Sequence, residues 1–379
     1  MKAVYWHAHH LPRIFIILLC VFNLLGLSYV QTHPVMVKAD YYQEKVAASK
    51  LAQQAFFAVK AARIKKKIAI NRFVDPQQSG LIGEKLTDIT SDQGDIYTKQ
   101  TTINPNIAAL FVSWLKGAGL KKGDTVALNT TGSFPALNIA MLSAIKTLGL
   151  KPRIVYSVSA SSYGANLPNF TWLDMYQALV KDKVFTYPVL GVSLGGSRDR
   201  AHGMNPKARK KLVAHIAASN YPFIDSLHTR DGIAKRIALL ETASKNPVRA
   251  YINVGGSGAS VGLKKKLSGQ VAISGVAVKS LASGLIRSVP ISLINTNSVA
   301  MHFLNQGVPV VNAHNMMHEL IGVYHFPRAP HYQPVIAWGN QFYHQRYNQE
   351  LAIIVLVLSI GLFILLAVLS RKYMLKYTR

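Results

Sequence analysis

The chain has 379 residues, of which 43 are Lys or Arg and 16 are Asp or Glu, so its formal net charge is +27. Its only cysteine is Cys20, which excludes a fold held by disulfides within the chain. The strongly basic balance raises the local concentration of anions, and between Glu241 and Glu319 no acidic residue occurs.

Apolar segments lie near both chain ends, at Leu11–Val30 and Leu351–Leu369. A helix that crosses a bilayer needs about 20 apolar residues, which both segments supply. We therefore predict an uncleaved transmembrane signal anchor at 14–30 and a transmembrane helix at 351–369. A cleaved signal peptide is the alternative for the first segment, because Gly26-Leu27-Ser28 is a weak cleavage site.

The flanking charges predict the orientation, because Lys and Arg are in excess on the cytoplasmic side of membrane proteins. The residues just before the second span offer only Arg346. The tail beyond it carries Arg371, Lys372, Lys376 and Arg379. We predict a two-pass protein of the bacterial inner membrane, with residues 1–13 and 370–379 in the cytoplasm and the main domain outside. Nucleic acid and ATP are then excluded as partners, and anionic envelope polymers or lipids are expected.

After the first span, Lys38–Phe73 has the pattern of one long helix. Its apolar face recurs at the helical spacing and comprises Ala48, Leu51, Ala52, Ala55, Phe56 and Val59. The segment ends in a basic block at residues 60–67. We predict that 31–73 forms a basic amphipathic helix or stalk.

Between 74 and 312, short apolar strands alternate with helices. The predicted strands are Thr125–Leu128, Arg153–Val158, Val189–Ser193, Tyr221–Ile224, Ala250–Val254 and Val308–Val311. The predicted helices are Pro135–Leu148, Thr171–Val180 with a capping box from Thr171 and Asp174, Pro206–Ser219, Thr229–Ser244 and Ser298–Gln306. This alternation predicts an extracytoplasmic α/β domain: a mainly parallel sheet with helices on both faces, Rossmann-like. A His/Pro-rich connector at 313–350 follows.

Several predicted strands end in loops rich in Ser and Gly, at 129–138, 159–166, 193–200 and 253–262. Ligands bind at the carboxyl ends of the strands in such folds, and these loops suit carboxylates or phosphates. The predicted ligand-binding residues are Thr131, Gly132, Ser133, Asn138, Ser161, Ser162, Asn166, Asp174, Gly195, Gly196, Arg198, Asp199, Arg200, Asn253, Gly255, Gly256 and Ser257.

The sequence matches known catalytic and metal-binding motifs only in part. Ser193 lies in a G-x-S-x-G sequence after a strand, but the loop that follows delays the helix which a nucleophile elbow requires. Ser193 is therefore a nucleophile only in an alternative hypothesis. His314 and His318 have a zinc-ligand spacing but lack the glutamate of HExxH between them. No metal and no cofactor are predicted.

Six stretches resemble the poly-γ-glutamate system protein family (PgsW-like). They are DPQQSGLIG (75–83), NPNIAAL (104–110), GDTVALNTTGSFPALN (123–138), SVSASSYGANLPNFTWLDM (157–175), VSLGGSRDRAHG (192–203) and NVGGSGASVG (253–262). The resemblance implies an accessory protein of poly-γ-glutamate biosynthesis or export, which binds the anionic polymer or its membrane synthase on the outer face. The alternative is a hydrolase or transferase that acts on the polymer through the Ser/Gly loops. The sequence leaves open whether the protein is an enzyme, which step it serves, and its oligomeric state.

Overall fold

The computed structural model describes residues 13–243, 246–256, 258–262, 281–294 and 296–377. It divides into a main unit, Asp40–Phe342, and a terminal unit formed by the two chain ends. The main unit includes residues 40–73 of the predicted stalk and residues 313–342 of the predicted connector, so most of both belongs to the same compact body as the predicted α/β domain.

The helices are α1 (Arg13–Thr32), α2 (Tyr42–Lys65), α3 (Ile96–Thr102), α4 (Ile107–Gly117), α5 (Pro135–Thr147), α6 (Trp172–Lys181), α7 (Pro206–Ala218), α8 (Thr229–Thr242), α9 (Gly258–Val261), α10 (Val299–Asn305) and α11 (Gln349–Tyr377). The strands are β1 (Val35–Lys38), β2 (Thr90–Asp92), β3 (Thr125–Thr131), β4 (Lys151–Ser157), β5 (Ala160–Ser161), β6 (Asn166–Leu167), β7 (Phe170–Thr171), β8 (Val189–Ser193), β9 (Val248–Val254), β10 (Gly284–Ile286), β11 (Val310–Ala313) and β12 (Tyr343–Arg346).

The main unit is built on a six-stranded sheet in the order β10-β11-β9-β3-β4-β8. All neighbouring pairs are parallel except β10 with β11, so the prediction of a mainly parallel α/β sheet is confirmed. Successive residues of β3 point to opposite faces, and each face has its own apolar core. Leu128 belongs to the core that includes α2, α4, α5 and α6, whereas Ala127 belongs to the core that includes α8 and α10.

The helix predicted at Lys38–Phe73 is shorter in the structure. It begins at Tyr42 and ends at Lys65, because Val35–Lys38 forms β1 and Lys67 turns into the left-handed region with φ +57°. Buried Arg63 then holds the irregular chain that follows. Its guanidinium donates to the carbonyl oxygens of Ala69 (2.7 Å) and Ile82 (2.7 Å), so this chain packs back onto α2.

The strand predicted at Tyr221–Ile224 is wrong. This segment runs beside β8 and makes a single bridge between Val192 and Phe223. Hydrogen bonds join Val192 N–H to the Pro222 carbonyl (2.8 Å) and Ile224 N–H to the Val192 carbonyl (2.8 Å). Because Pro222 has no N–H, a regular ladder cannot continue through it.

The terminal unit contains α1, β1, β12 and α11, and β1 pairs with β12 in antiparallel register. Residues 13–32 and 349–369 form helices that are long and apolar enough to cross a membrane. The two helices pack on one another. Gly26 leaves room for Val355, and the Ser359 hydroxyl donates to Asn23 Oδ1 at 2.8 Å.

Candidate functional site

The loops after β3, β4, β8 and β9 lie along one edge of the sheet, because these strands are parallel. Backbone hydrogen bonds connect neighbouring loops. Gly132 N–H donates to the Ser157 carbonyl (3.0 Å), and Ser159 N–H donates to the Leu194 carbonyl (3.0 Å). The structure therefore brings the predicted loops together, although Ser257 lies outside the described residues.

Close packing of these loops explains the predicted glycines. A Cβ at Gly132 would lie 2.7 Å from the Val158 carbonyl oxygen and 3.1 Å from the Ser159 carbonyl oxygen. Likewise, a Cβ at Gly255 would overlap Thr131 Oγ1, and one at Gly256 would lie 2.8 Å from the His314 ring. The protein's own loops thus fill the space beside these glycines, where the sequence predicts a ligand.

Asparagines form a buried ladder beneath the loops. Asn129, Asn253 and Asn312 occupy paired positions on β3, β9 and β11 and have no exposed surface. Asn129 Nδ2 donates to Asn253 Oδ1 (3.1 Å), and Asn253 Nδ2 donates to Asn312 Oδ1 (2.9 Å). Asn138 is also buried, and its amide donates to the Thr131 carbonyl (2.8 Å). These amides hold the strand ends in register, which accounts for the predicted Asn253 and Asn138.

Ser193 and Asp199 belong to a buried ion pair. Arg236 of α8 and Asp199 have fully buried side chains and form a salt bridge. Arg236 Nη2 donates to Asp199 Oδ1 (2.8 Å) and to Ser193 Oγ (2.6 Å), and the Ser157 hydroxyl is 3.0 Å from that of Ser193. A nucleophilic serine requires a basic partner. The partners of Ser193 are a guanidinium, a carboxylate and a hydroxyl, so this arrangement favours a structural role.

The side chains of two further predicted residues, Asp174 and Asn166, form hydrogen bonds within the fold. Asp174 completes the predicted capping box with Thr171, which is confirmed, and its carboxylate also contacts Lys66 Nζ (2.5 Å) and His215 Nε2 (2.9 Å). Asn166 clamps the backbone of Glu84, accepting from its N–H (3.0 Å) and donating to its carbonyl (2.7 Å). The side chains of both residues are therefore committed to neighbouring segments.

A buried lysine that the sequence analysis did not single out joins two of the predicted serines. Lys99 of α3 is 3% exposed, and its Nζ lies 2.5 Å from the Ser133 carbonyl oxygen and 2.9 Å from Ser161 Oγ. Ser133 Oγ in turn accepts from Ser161 N–H at 3.1 Å. Burial lowers the pKa of Lys99 to about 7, although Asp95 and Asp92 oppose this shift.

A basic cleft opens beside the loop that follows β8. It has a volume of about 730 Å³, and its cationic lining consists of Arg198, Arg200, Arg209 and Lys210 with the imidazoles of His202 and His228. Every residue that lines the cleft is described in the structure, and none of them is Asp or Glu. Two of the predicted ligand-binding residues, Arg198 and Arg200, therefore face one concave surface.

Backbone strain is concentrated in this loop. Gly195 and Gly196 adopt φ angles of +72° and +66°, and Arg198, Asp199 and Ala201 have φ angles of +55°, +59° and +51°. Left-handed conformations cost energy in residues with a side chain, and they persist where surrounding contacts hold them. In this loop the buried salt bridge between Asp199 and Arg236 fixes the backbone in these conformations. The neighbouring Arg198 is exposed.

The histidine-rich segment shows no metal-binding geometry within the described part of the chain, where no three His, Cys, Asp or Glu side chains gather around one point. The His318 side chain is 82% exposed, and its Nδ1 lies 3.8 Å from Glu319 Oε1. His314 is largely buried, and this burial lowers its pKa.

No protein-family model, curated protein or solved structure matches this chain.

Proposed function

We propose that this protein is a two-pass membrane protein whose Rossmann-like main unit binds an anionic polymer outside the cytoplasm. The polymer that the sequence resemblance implies is poly-γ-glutamate, and the protein would serve as an accessory to its synthesis or export. The observation that carries the proposal is the basic cleft beside β8, together with its lack of carboxylate lining.

The cleft suits a carboxylate polymer for electrostatic and geometric reasons. No salt bridge in the described residues involves Arg198, Arg209 or Lys210, so no carboxylate neutralises their charges; Arg209 Nε does donate to the Arg200 carbonyl oxygen at 3.1 Å. Arg198 and Lys210 are exposed. A guanidinium binds a carboxylate through two parallel hydrogen bonds, and several such cations along one groove match a repeating anion.

The terminal unit supports the membrane assignment. The outward faces of α1 and α11 are apolar, and a hydroxyl–amide hydrogen bond joins the helices at Ser359 and Asn23. Small residues and interhelical hydrogen bonds are typical of helix pairs within membranes, where lipid gives no hydrophobic drive for association. The contacts of α1 with α11 favour a retained anchor over a cleaved signal peptide.

Binding of fluorescent poly-γ-glutamate to the full chain in neutral-lipid nanodiscs tests the proposal. The cleft variant replaces Arg198, Arg209 and Lys210 by Gln. The matched control replaces Lys121, Lys122 and Lys151 by Gln, because these exposed lysines lie at the opposite edge of the sheet. Both variants lose the same charge. We expect the cleft variant to bind at least about tenfold more weakly, which is about 1.4 kcal/mol, and the control to bind nearly as the parent does.

The choice of polymer makes the test sharper. A shaped site should prefer the γ-linked polymer to α-linked polyglutamate of equal length, and added salt should weaken both because it screens exposed charges. Equal losses in the cleft variant and the control would contradict the cleft as the binding site. Equal affinity for every polyanion would contradict poly-γ-glutamate as the specific ligand.

A further inference from the structure

The Lys99 amine and the Ser161 hydroxyl form a pair that polymer binding does not use. Lys99 Nζ is 2.9 Å from Ser161 Oγ, within hydrogen-bond distance. The amine is enclosed by the loops after β3 and β4, and it lies 3.6 Å from the centroid of the Phe134 ring. In the described residues no carboxylate forms a salt bridge with it. Ser161 is half-buried, so one side of the pair faces the surface.

We propose that Ser161 and Lys99 form a serine–lysine catalytic pair for acyl transfer, with an ester or amide carbonyl as the substrate group. The Ser161 hydroxyl oxygen attacks the carbonyl carbon and forms a C–O bond, while Lys99 Nζ takes the hydroxyl proton. The bond from that carbon to the leaving oxygen or nitrogen breaks, and Lys99 returns the proton to the leaving group. Water then hydrolyses the Ser161 ester, and Lys99 again transfers the proton.

The hydrogen bonds suit a neutral amine in this role. A neutral lysine has two N–H donors and one lone pair. It can donate to the Ser133 carbonyl oxygen at 2.5 Å and accept the Ser161 hydroxyl proton. Ser133 also positions the backbone of the nucleophile, because its hydroxyl oxygen accepts a hydrogen bond from the Ser161 N–H. A buried lysine of lowered pKa is the form that activates a serine.

The surroundings of Lys99 set the expected pH dependence. Burial lowers the pKa of Lys99 to about 7, and the acidic groups that act against this shift are Asp95 at the start of α3 and Asp92 in β2. The loop after β3 contributes no titratable side chain, and the loop after β4 contributes only Tyr163. The amine should therefore become neutral, and the pair active, as the pH rises through about 7.

Reaction of the full chain in detergent with a fluorophosphonate probe tests the pair without the polymer, so this proposal and polymer binding can fail separately. Peptide mass spectrometry measures the rate of modification at Ser161 between pH 5.5 and pH 8.5. We expect a sigmoid rise with its midpoint near 7. Ser161→Ala should abolish labelling of that peptide, and Lys99→Met should slow labelling of Ser161 by about 100-fold or more.

Two serines serve as controls. Ser193→Ala removes the serine of the G-x-S-x-G sequence, whose partners are Arg236, Asp199 and Ser157 and not Lys99, and should leave the Ser161 peptide labelled. Ser197 is exposed, so its labelling reports the background reactivity of an unactivated hydroxyl. The pH dependence of Ser161 labelling in the parent protein tests the proposal even if Lys99→Met fails to fold. Labelling of Ser161 that is no faster than that of Ser197 and lacks the rise near pH 7 would overturn the proposal.

Discussion

At the scale of single residues, Asp174 links a helix cap to two cations. Burial alone would raise the pKa of Asp174, but hydrogen bonds from His215, Lys66 and the Thr171 backbone outweigh it and lower the pKa from 3.8 to about 2. Because the folded-state pKa is lowered, the stabilisation is fully present above the unfolded value near 4. It is lost as the pH falls from about 4 to about 2, and it amounts to about 2 kcal/mol.

Asp174→Asn keeps the size and capping capacity of the side chain but removes its charge. We expect the variant to be less stable than the parent at pH 6, and the difference to shrink as the pH falls from 4 to 2. Chemical denaturation of the detergent-solubilised chain at several pH values measures the free energy of unfolding. Asp88→Asn provides the control, because Asp88 is exposed. A stability difference that stays constant with pH would contradict the ionic role of Asp174.

Residues whose role is local could be predicted from the sequence, and residues whose role depends on distant segments could not. The cap of α6 follows from Thr171 and Asp174, which are three positions apart, and the structure confirms it. Lys99 gave no such signal, because Ser133 and Ser161 come within reach of its amine only once the sheet has formed. Ser133 and Ser161 were therefore predicted as site residues, but Lys99, the basic group that contacts both of them, was not.

At the scale of elements, helices with a strong start signal in the sequence were predictable, whereas α4 was not. The helices α5, α6 and α7 begin within a residue of the predicted positions, where Pro135, Thr171 and Pro206 give recognised start signals. No helix was predicted at α4, whose run of apolar residues shows no polar face and whose Asn106 forms no side-chain cap. Pro222 explains the strand that was wrongly predicted beside β8.

The pair α1–α11 gives a prediction at this scale. Asn23→Cys with Ser359→Cys, in a Cys20→Ser background, should form a disulfide in mild oxidant, since the native side chains of Asn23 and Ser359 lie 2.8 Å apart. Mass spectrometry of linked peptides measures the yield. Leu24→Cys with Ser359→Cys is the matched control, because Leu24 is 67% exposed on the outer face of α1. Equal yields from both pairs, or loss of the α1 peptide from the mature protein, would contradict a retained and packed anchor.

For the whole molecule, the distribution of charge connects the anchor to the proposed ligand. The net charge of +27 includes the basic tail after the second apolar helix as well as the lining of the cleft. These two groups of cations would serve different ends. Cations that flank a membrane helix determine its orientation, whereas cations in a concave surface concentrate and bind anions. The proposed function requires that the membrane keeps the two groups on opposite sides.

The membrane topology is therefore the prediction on which the choice of ligand depends. Residues 370–379, which follow the apolar segment 351–369, carry four Lys or Arg, whereas the residues just before that segment offer only Arg346; this difference predicts that both chain ends are cytoplasmic and that the main unit lies outside. A reporter that is active only after export should be active when inserted at Gly203, an exposed position with φ +90°, and inactive when fused after Arg379. A reporter that is active only in the cytoplasm should give the reverse pattern. Export activity after Arg379 with none at Gly203 would place the basic cleft in the cytoplasm, where nucleic acids and nucleotides compete for it, and would remove the argument for an envelope polymer.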